Sequence, residues 1–127
     1  MGSVWKFLGL AMLMPSFAAS SAQGTAPAFD VLNGSWVRPD GGYRIEIKGV
    51  SFDGRLNAVY FNPKPLPFAK AQASRDDMAL RVFLELQAGG YGGSTYELVY
   101  DPASRQLRGI YYQAVAKQKF AVTFERK

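Results

Sequence analysis

From residue 35 to the end of the chain, apolar and polar side chains alternate with a period of two, and turn-forming residues break the alternation at short intervals. Tyr43, Ile45 and Ile47 alternate with Arg44, Glu46 and Lys48; Phe120, Val122 and Phe124 alternate with Ala121, Thr123 and Glu125. Successive side chains of an extended strand point to opposite faces, so this pattern buries one face and wets the other. A helix would need apolar residues three and four apart. Only Phe29 to Leu32 looks like a helical turn.

The breaks carry turn chemistry. Pro39-Asp40-Gly41-Gly42, Asp53-Gly54, the run from Gly89 to Gly93 and Asp101-Pro102-Ala103-Ser104 all favour turns or tolerate positive φ. Asn62-Pro63-Lys64-Pro65-Leu66-Pro67 reads as a stiff extended connection, because proline does not join a sheet interior. The spacing predicts strands near Ser35–Arg38, Tyr43–Val50, Arg55–Asn62, Phe68–Arg75, Met78–Gln87, Ser94–Tyr100, Gln106–Ala114 and Lys119–Glu125. Short links between consecutive strands give an antiparallel up-and-down meander. The predicted class is therefore all-β, with seven or eight strands closing into a small barrel, because closure removes exposed sheet edges. A β-sandwich and a five-stranded oligonucleotide-binding barrel are the alternatives.

The start of the chain is different. Residues 1–22 hold Lys6 as their only charge, an apolar stretch from Phe7 to Leu13, Pro15, and small residues up to Ala22. This is the three-part pattern of a cleaved secretory signal, and its apolar run is too short to span a bilayer. The expected layout is a signal peptide over 1–22, a linker over 23–28 and one barrel domain over 29–127, with no transmembrane anchor left after cleavage. Removal of Lys6 lowers the formal charge from +5 to +4. The expected location is exported, periplasmic or extracellular, in a bacterial host.

The chain has no Cys and no His. That removes disulfides, thiol nucleophiles, imidazole ligands and a Ser-His-Asp triad. No metal site and no cofactor is expected. The acids invite a hydrolase reading, but Asp40, Asp53, Asp76, Asp77 and Asp101 each lie in or beside a turn, where aspartate bonds its own backbone. The expectation is a protein that is not an enzyme. Lys and Arg are dispersed rather than gathered among exposed aromatics, which argues against a nucleic-acid partner.

Several positions look familiar. A helical turn, FDVL, leads into Gly34-Ser35-Trp36, and Arg126 ends the last predicted strand. GRLNAVYFN and YGGSTYELVYD follow at matching places. Together these positions resemble the calycin pattern of lipocalins, fatty-acid-binding proteins and avidins, most of all the avidin branch. The resemblance implies that Trp36 closes one barrel end and packs against Arg126, with Gly34 completing the signature. It implies a ligand site at the other end, with Tyr60 in the place of a ligand tyrosine. The rest of the biotin site is not kept: its asparagine becomes Arg38, its loop serine Gly42, a second serine Asn62, and its tryptophans fall near Phe83, Tyr96 and Tyr111 or Tyr112. No tight biotin binding is expected. The mature chain also looks like small exported bacterial proteins carrying G-x-W, DGGY and YFNP.

The residues themselves support a binding site of the same kind. Tyr43, Tyr60, Tyr96, Tyr100 and Tyr111 offer apolar walls with polar tips. Arg38 and Asn62 are placed to join Tyr60 at the open end, where a guanidinium suits an anionic or carbonyl-bearing ligand. Arg38 pairing with Asp40 in the turn is the competing reading. The expected ligand-binding set is Arg38, Tyr43, Tyr60, Asn62, Tyr96 and Tyr111. Val59, Phe61, Phe83, Val99, Ile110 and Tyr112 fall on the outward parity, which points to a homodimer. The expected function is an exported binding protein for a small molecule. A filled barrel that contacts an envelope protein or inhibits an enzyme is the alternative.

Overall fold

The computed structural model of the protein describes residues 28–87 and 92–127. The expected signal peptide, the linker up to residue 27 and residues 88–91 of the Gly-rich run lie outside the described residues. A single 3-10 turn, Phe29–Leu32, precedes eight strands: β1 (Gly34–Val37), β2 (Arg44–Val50), β3 (Leu56–Phe61), β4 (Pro65–Asp76), β5 (Ala79–Leu86), β6 (Thr95–Asp101), β7 (Gln106–Gln113) and β8 (Gln118–Arg126). Each pairs antiparallel with the next, and β1 pairs with β8 through Trp36 opposite Arg126 and Val37 opposite Glu125. The sheet is a closed barrel of eight strands. The alternation and the turns predicted this all-β class, and each strand end lies within one residue of its expected place except the start of β4. Among the described residues no helix is long and apolar enough to cross a membrane.

The proline-rich connection is a correction. Pro65 and Pro67 stand inside β4, opposite Phe61 and Val59. The reason is local. Along this segment β4 has β3 on one side only, because its pairing with β5 begins at Phe68 opposite Leu86. Proline lacks an N–H, and it is tolerated where a strand has one neighbour. Beyond Val59 the β3–β4 ladder stops, to resume as a lone bridge between Arg55 and Gln72. The register of β4 against β5 shifts in the same stretch, between Phe68 and Lys70. A bulge of this kind sharpens the local bend, which small barrels need in order to close.

The inward parity is the one the alternation predicts. Ile45, Leu84, Leu107 and Phe124 have no exposed surface, and Ile47, Leu80, Val82, Leu86 and Leu98 have almost none. Each such side chain contributes roughly 1.5–3 kcal/mol on burial, the main favourable term for a domain without disulfides. Val59, Phe61, Phe83, Val99 and Tyr112 are half-buried on the outer face, and Ile110 is exposed there. The inward place beside Leu98 and Val122 belongs to Gly109. A Cβ there would stand 1.9 Å from the Glu97 carbonyl oxygen, so only glycine fits.

Candidate functional site

The two barrel ends are closed by different chemistry. At the end where the chain enters β1, Trp36 is wholly buried and its indole N–H donates to the Leu32 carbonyl at 2.8 Å. The Arg126 guanidinium lies over the Trp36 ring at 4.2 Å. It also donates to the Asn33 carbonyl at 2.7 Å and to the Val31 carbonyl. Gly34 has φ +125°, and a Cβ at that position would meet Arg126 Nη1 at 3.0 Å. Gly34, Trp36 and Arg126 therefore form one unit that ties the 3-10 turn to β8. Tyr100 packs its edge against Trp36, with ring centroids 6.2 Å apart. It belongs to this end, a correction to its grouping with the other tyrosines. Alternation fixes which side of the wall a residue faces, but barrel stagger fixes its height.

The opposite end gathers Arg38, Tyr43, Tyr60, Tyr96 and Tyr111. Arg38 follows β1 two residues after Trp36, so it keeps the inward parity and caps the interior. Tyr60 stands on β3 opposite Ile45. Tyr96 on β6 and Tyr111 on β7 are directly opposite each other, and their rings stack at 4.6 Å between centroids. Tyr43, just before β2, stacks almost parallel on Tyr60 at 6.1 Å. Asn62 is half-buried in the β3–β4 connection at the same end, and its backbone N–H donates to the Lys64 carbonyl at 3.1 Å. Phe120, 45% exposed, stacks on Tyr111 at 6.3 Å and stands at the rim. Its place in the Phe120, Val122, Phe124 alternation was the sequence signal for it.

Arg38 organises this end. Its Nε donates to Asp40 Oδ1 at 3.0 Å and its Nη2 to Asp40 Oδ2 at 2.8 Å, a two-bond fork on one carboxylate. Its Nη1 donates to the Tyr96 hydroxyl at 2.9 Å. Tyr96 in turn shares a 3.0 Å hydrogen bond with the Tyr60 hydroxyl, in which either oxygen is able to donate. The guanidinium lies 4.5 Å from the Tyr43 ring centre and 5.7 Å from that of Tyr111. The Arg38 side chain is 10% exposed, whereas Asp40 is 60% exposed. Three of the five guanidinium N–H groups are thus used by Asp40 and Tyr96.

The charges follow from these contacts. Burial works against a charged Arg38, but the Asp40 hydrogen bond and Tyr96 outweigh it, so the guanidinium is held above its ordinary pKa. The same hydrogen bond holds the Asp40 carboxyl below its usual range. Burial pushes the Tyr60 phenol up, and the neighbouring Tyr96 adds to the rise. Burial also raises Tyr96, against the opposing pull of Tyr60 and Arg38. Near neutrality the end therefore presents a fixed cation, an exposed carboxylate and two protonated phenols. The two phenol hydroxyls are bonded to each other and to Arg38, and a guanidinium is a group that pairs with oxyanions by hydrogen bonding.

The remaining acids are dispersed. Glu46 pairs with Arg44 at 2.9 Å, Asp53 with Arg55 at 3.8 Å and Asp76 with Arg81 at 2.9 Å. Asp101 accepts from the Ala103 N–H and the Ser104 hydroxyl. Among the described residues no group of three acids is placed to hold a metal ion. Buried side chains from all eight strands pack between the two ends. Hollows lie along the barrel wall. One of about 430 Å³ lies where β3 and β4 part, lined by Leu56, Ala58, Phe68 and Lys70 among others. Another, of about 380 Å³, lies on the outer face against Phe83, Val99 and Ile110. No protein-family model, curated protein or solved structure matches this chain.

Proposed function

We propose that this protein is an exported, non-enzymatic binding protein of calycin-like barrel type that holds a small ligand at the Arg38 end. The observation that carries this reading is the convergence of Arg38, Tyr43, Tyr60, Tyr96 and Tyr111, from four separate segments of the chain, on one barrel end. Arg38 is a largely buried cation, uncommon inside a barrel, and Asp40 and Tyr96 hold it there. The calycin part of the reading is supported by Trp36 and Arg126, which are stacked at 4.2 Å as that resemblance implies. The outer face bearing Phe83, Val99 and Ile110 supports self-association as a homodimer.

A second reading rests on the packed interior. Tyr60 and Tyr96 are almost wholly buried and spend their hydroxyls on each other and on Arg38. A barrel of this kind works through its outside, as a contact or inhibitor module for an envelope protein. Native mass spectrometry of the protein, purified gently from the exported fraction of its own host, separates the two. Extra mass that leaves on denaturation, and is lost in Arg38→Ala, is the outcome expected of a ligand carrier. A bare mass from a folded protein favours the second reading. The same spectrum gives the cleavage site and the number of subunits.

A further inference from the structure

The barrel wall parts at one place. Between the pair of Val59 with Pro67 and the lone bridge of Arg55 to Gln72, residues 56–58 of β3 and 68–71 of β4 form no ladder pair with each other. There β3 keeps β2 and β4 keeps β5, so each presents one strand edge to the parting. A strand edge without a partner is a template for another extended chain. The hollow of about 430 Å³ lies in this parting. It exceeds the roughly 150 Å³ cavity that holds a benzene molecule. Its depth is apolar: Leu56 is buried, and Ala58, Phe68 and Ala71 pack against the core. Its rim is cationic. The Arg55 side chain is 75% exposed, and its ion pair with Asp53 is long, at 3.8 Å. Lys70 is exposed and stands opposite Glu85 on β5; its ammonium lies 5.7 Å from the Phe83 ring, on a stem flexible enough to turn toward the parting. Gln72, the partner of Arg55, is two residues from Lys70, which sets the two cations about 7 Å apart along the strand.

We infer that this parting is a docking site for an extended acidic segment of a partner protein, with the pattern acid, apolar, acid. The segment adds as a short strand between β3 and β4, antiparallel to one and parallel to the other. Alternate side chains of an extended chain point to opposite faces. The two acids therefore lie outside, about 7 Å apart, beside Arg55 and Lys70. The residue between them points inward, among Leu56, Ala58, Phe68 and Ala71. The parting spans three residues of β3, so a three-residue stretch enters it and the flanking residues leave over the outer face. Backbone hydrogen bonds supply affinity, the hollow selects an apolar side chain, and the two cations select the acids. The inference rests on the contact-module reading above and gives it a surface and a partner chemistry. It uses none of the residues at the Arg38 end.

The test titrates the end-blocked peptide Gly-Glu-Leu-Glu-Gly into the isotope-labelled native protein and follows backbone amide resonances. The expected result is saturable shifts at Leu56, Asn57, Ala58, Ala69 and Lys70, with Arg38 and Tyr111 unmoved. Replacing the peptide leucine by serine should weaken binding about tenfold or more, the worth of one buried aliphatic side chain. Methylating the leucine N–H should weaken it as well, and the Lys-Leu-Lys peptide should not bind. Arg55→Gln and Lys70→Gln should each weaken binding about threefold, the worth of an exposed ion pair. Ala58→Leu, which fills the hollow from β3, should abolish binding while keeping a cooperative unfolding transition; where that transition is lost, the two cation variants decide. Equal binding of the serine peptide overturns the inference, as do shifts confined to other parts of the barrel or unchanged affinity in both cation variants. No shift from the peptide, with a bare native mass, overturns this surface and leaves the contact-module reading standing. Shifts at the parting together with a retained small molecule support the surface and refute the reading of a barrel that works through its outside alone.

Discussion

Replacing Tyr96 by Phe removes one oxygen from the middle of a three-member chain. Tyr96 has no exposed surface, accepts from Arg38 at 2.9 Å and shares a 3.0 Å bond with Tyr60, itself 1% exposed. The substitution deletes a hydrogen bond to a charged group, worth about 1.5–3 kcal/mol, and strands a buried hydroxyl at a cost of about 1–3 kcal/mol. Part of the Arg38 loss is recovered by water at the rim. The expected net destabilisation is about 3 kcal/mol, a large share of the roughly 5–15 kcal/mol that holds a domain folded. The melting temperature should fall by about 12 °C or more for a chain of this size. Tyr60→Phe alone should cost only about 1 kcal/mol, because Tyr96 keeps its Arg38 partner. In the Tyr96→Phe background the same change should be neutral or stabilising, because it removes the stranded hydroxyl. The assay is urea unfolding of residues 23–127 followed by the emission of Trp36, the one tryptophan in that stretch. Tyr96→Phe within about 0.5 kcal/mol of the native protein would refute the reasoning. An equal cost for Tyr60→Phe in both backgrounds would refute it as well.

Other expectations use the same unfolding assay. Gly109→Ala should destabilise by about 1–3 kcal/mol or prevent folding, because its Cβ meets the Glu97 carbonyl. Gly49→Ala, whose Cβ meets nothing within 4 Å, should cost little and serves as the control. Arg126→Ala should lose about 2–3 kcal/mol and shift the Trp36 emission to longer wavelength, with little recovery in Arg126→Lys, because lysine lacks the planar fork. Acid titration tests the Arg38–Asp40 pair. The Asp40 carboxyl is depressed from its ordinary value of 3.8, so its contribution is present above that value and is lost as pH falls through the lower, folded value. The stability difference between the native protein and Asp40→Asn should shrink from pH 6 to about pH 2.5, and it should be modest because Asp40 is mostly exposed. A difference that stays constant over that range would show that the pair contributes nothing.

The sequence made the wall of the barrel legible and left its interior heights obscure. Alternation placed Ile45, Ile47, Val122 and Phe124 inside, and turn residues placed the hairpins, because both signals are local. The pairing of β1 with β8 joins residues 90 apart in the chain, and no local pattern encodes that register. Pro65 and Pro67 read as a break because proline usually is one; whether a strand segment has one neighbour or two is a tertiary fact. Tyr96 and Tyr100 share one strand and one parity, yet they serve opposite ends of the barrel. Four residues of strand, roughly 13 Å, separate them, and barrel stagger decides which neighbours each one meets. The Arg38–Asp40 alternative was visible from spacing alone, but the reach of Arg38 to Tyr96, 58 residues away, required the closed wall.

The seam between the first strand and the last sets a clock for this molecule. Arg126 bonds to the Asn33 carbonyl across 93 residues, and Trp36 meets its partner only when β8 arrives. Until β8 pairs, the hairpins formed early have an open edge and a Trp36 without its arginine. Closure waits until the residues of β8 have emerged, and such distant pairings are slow to form. The wall is continuous only once its final strand has paired with its first.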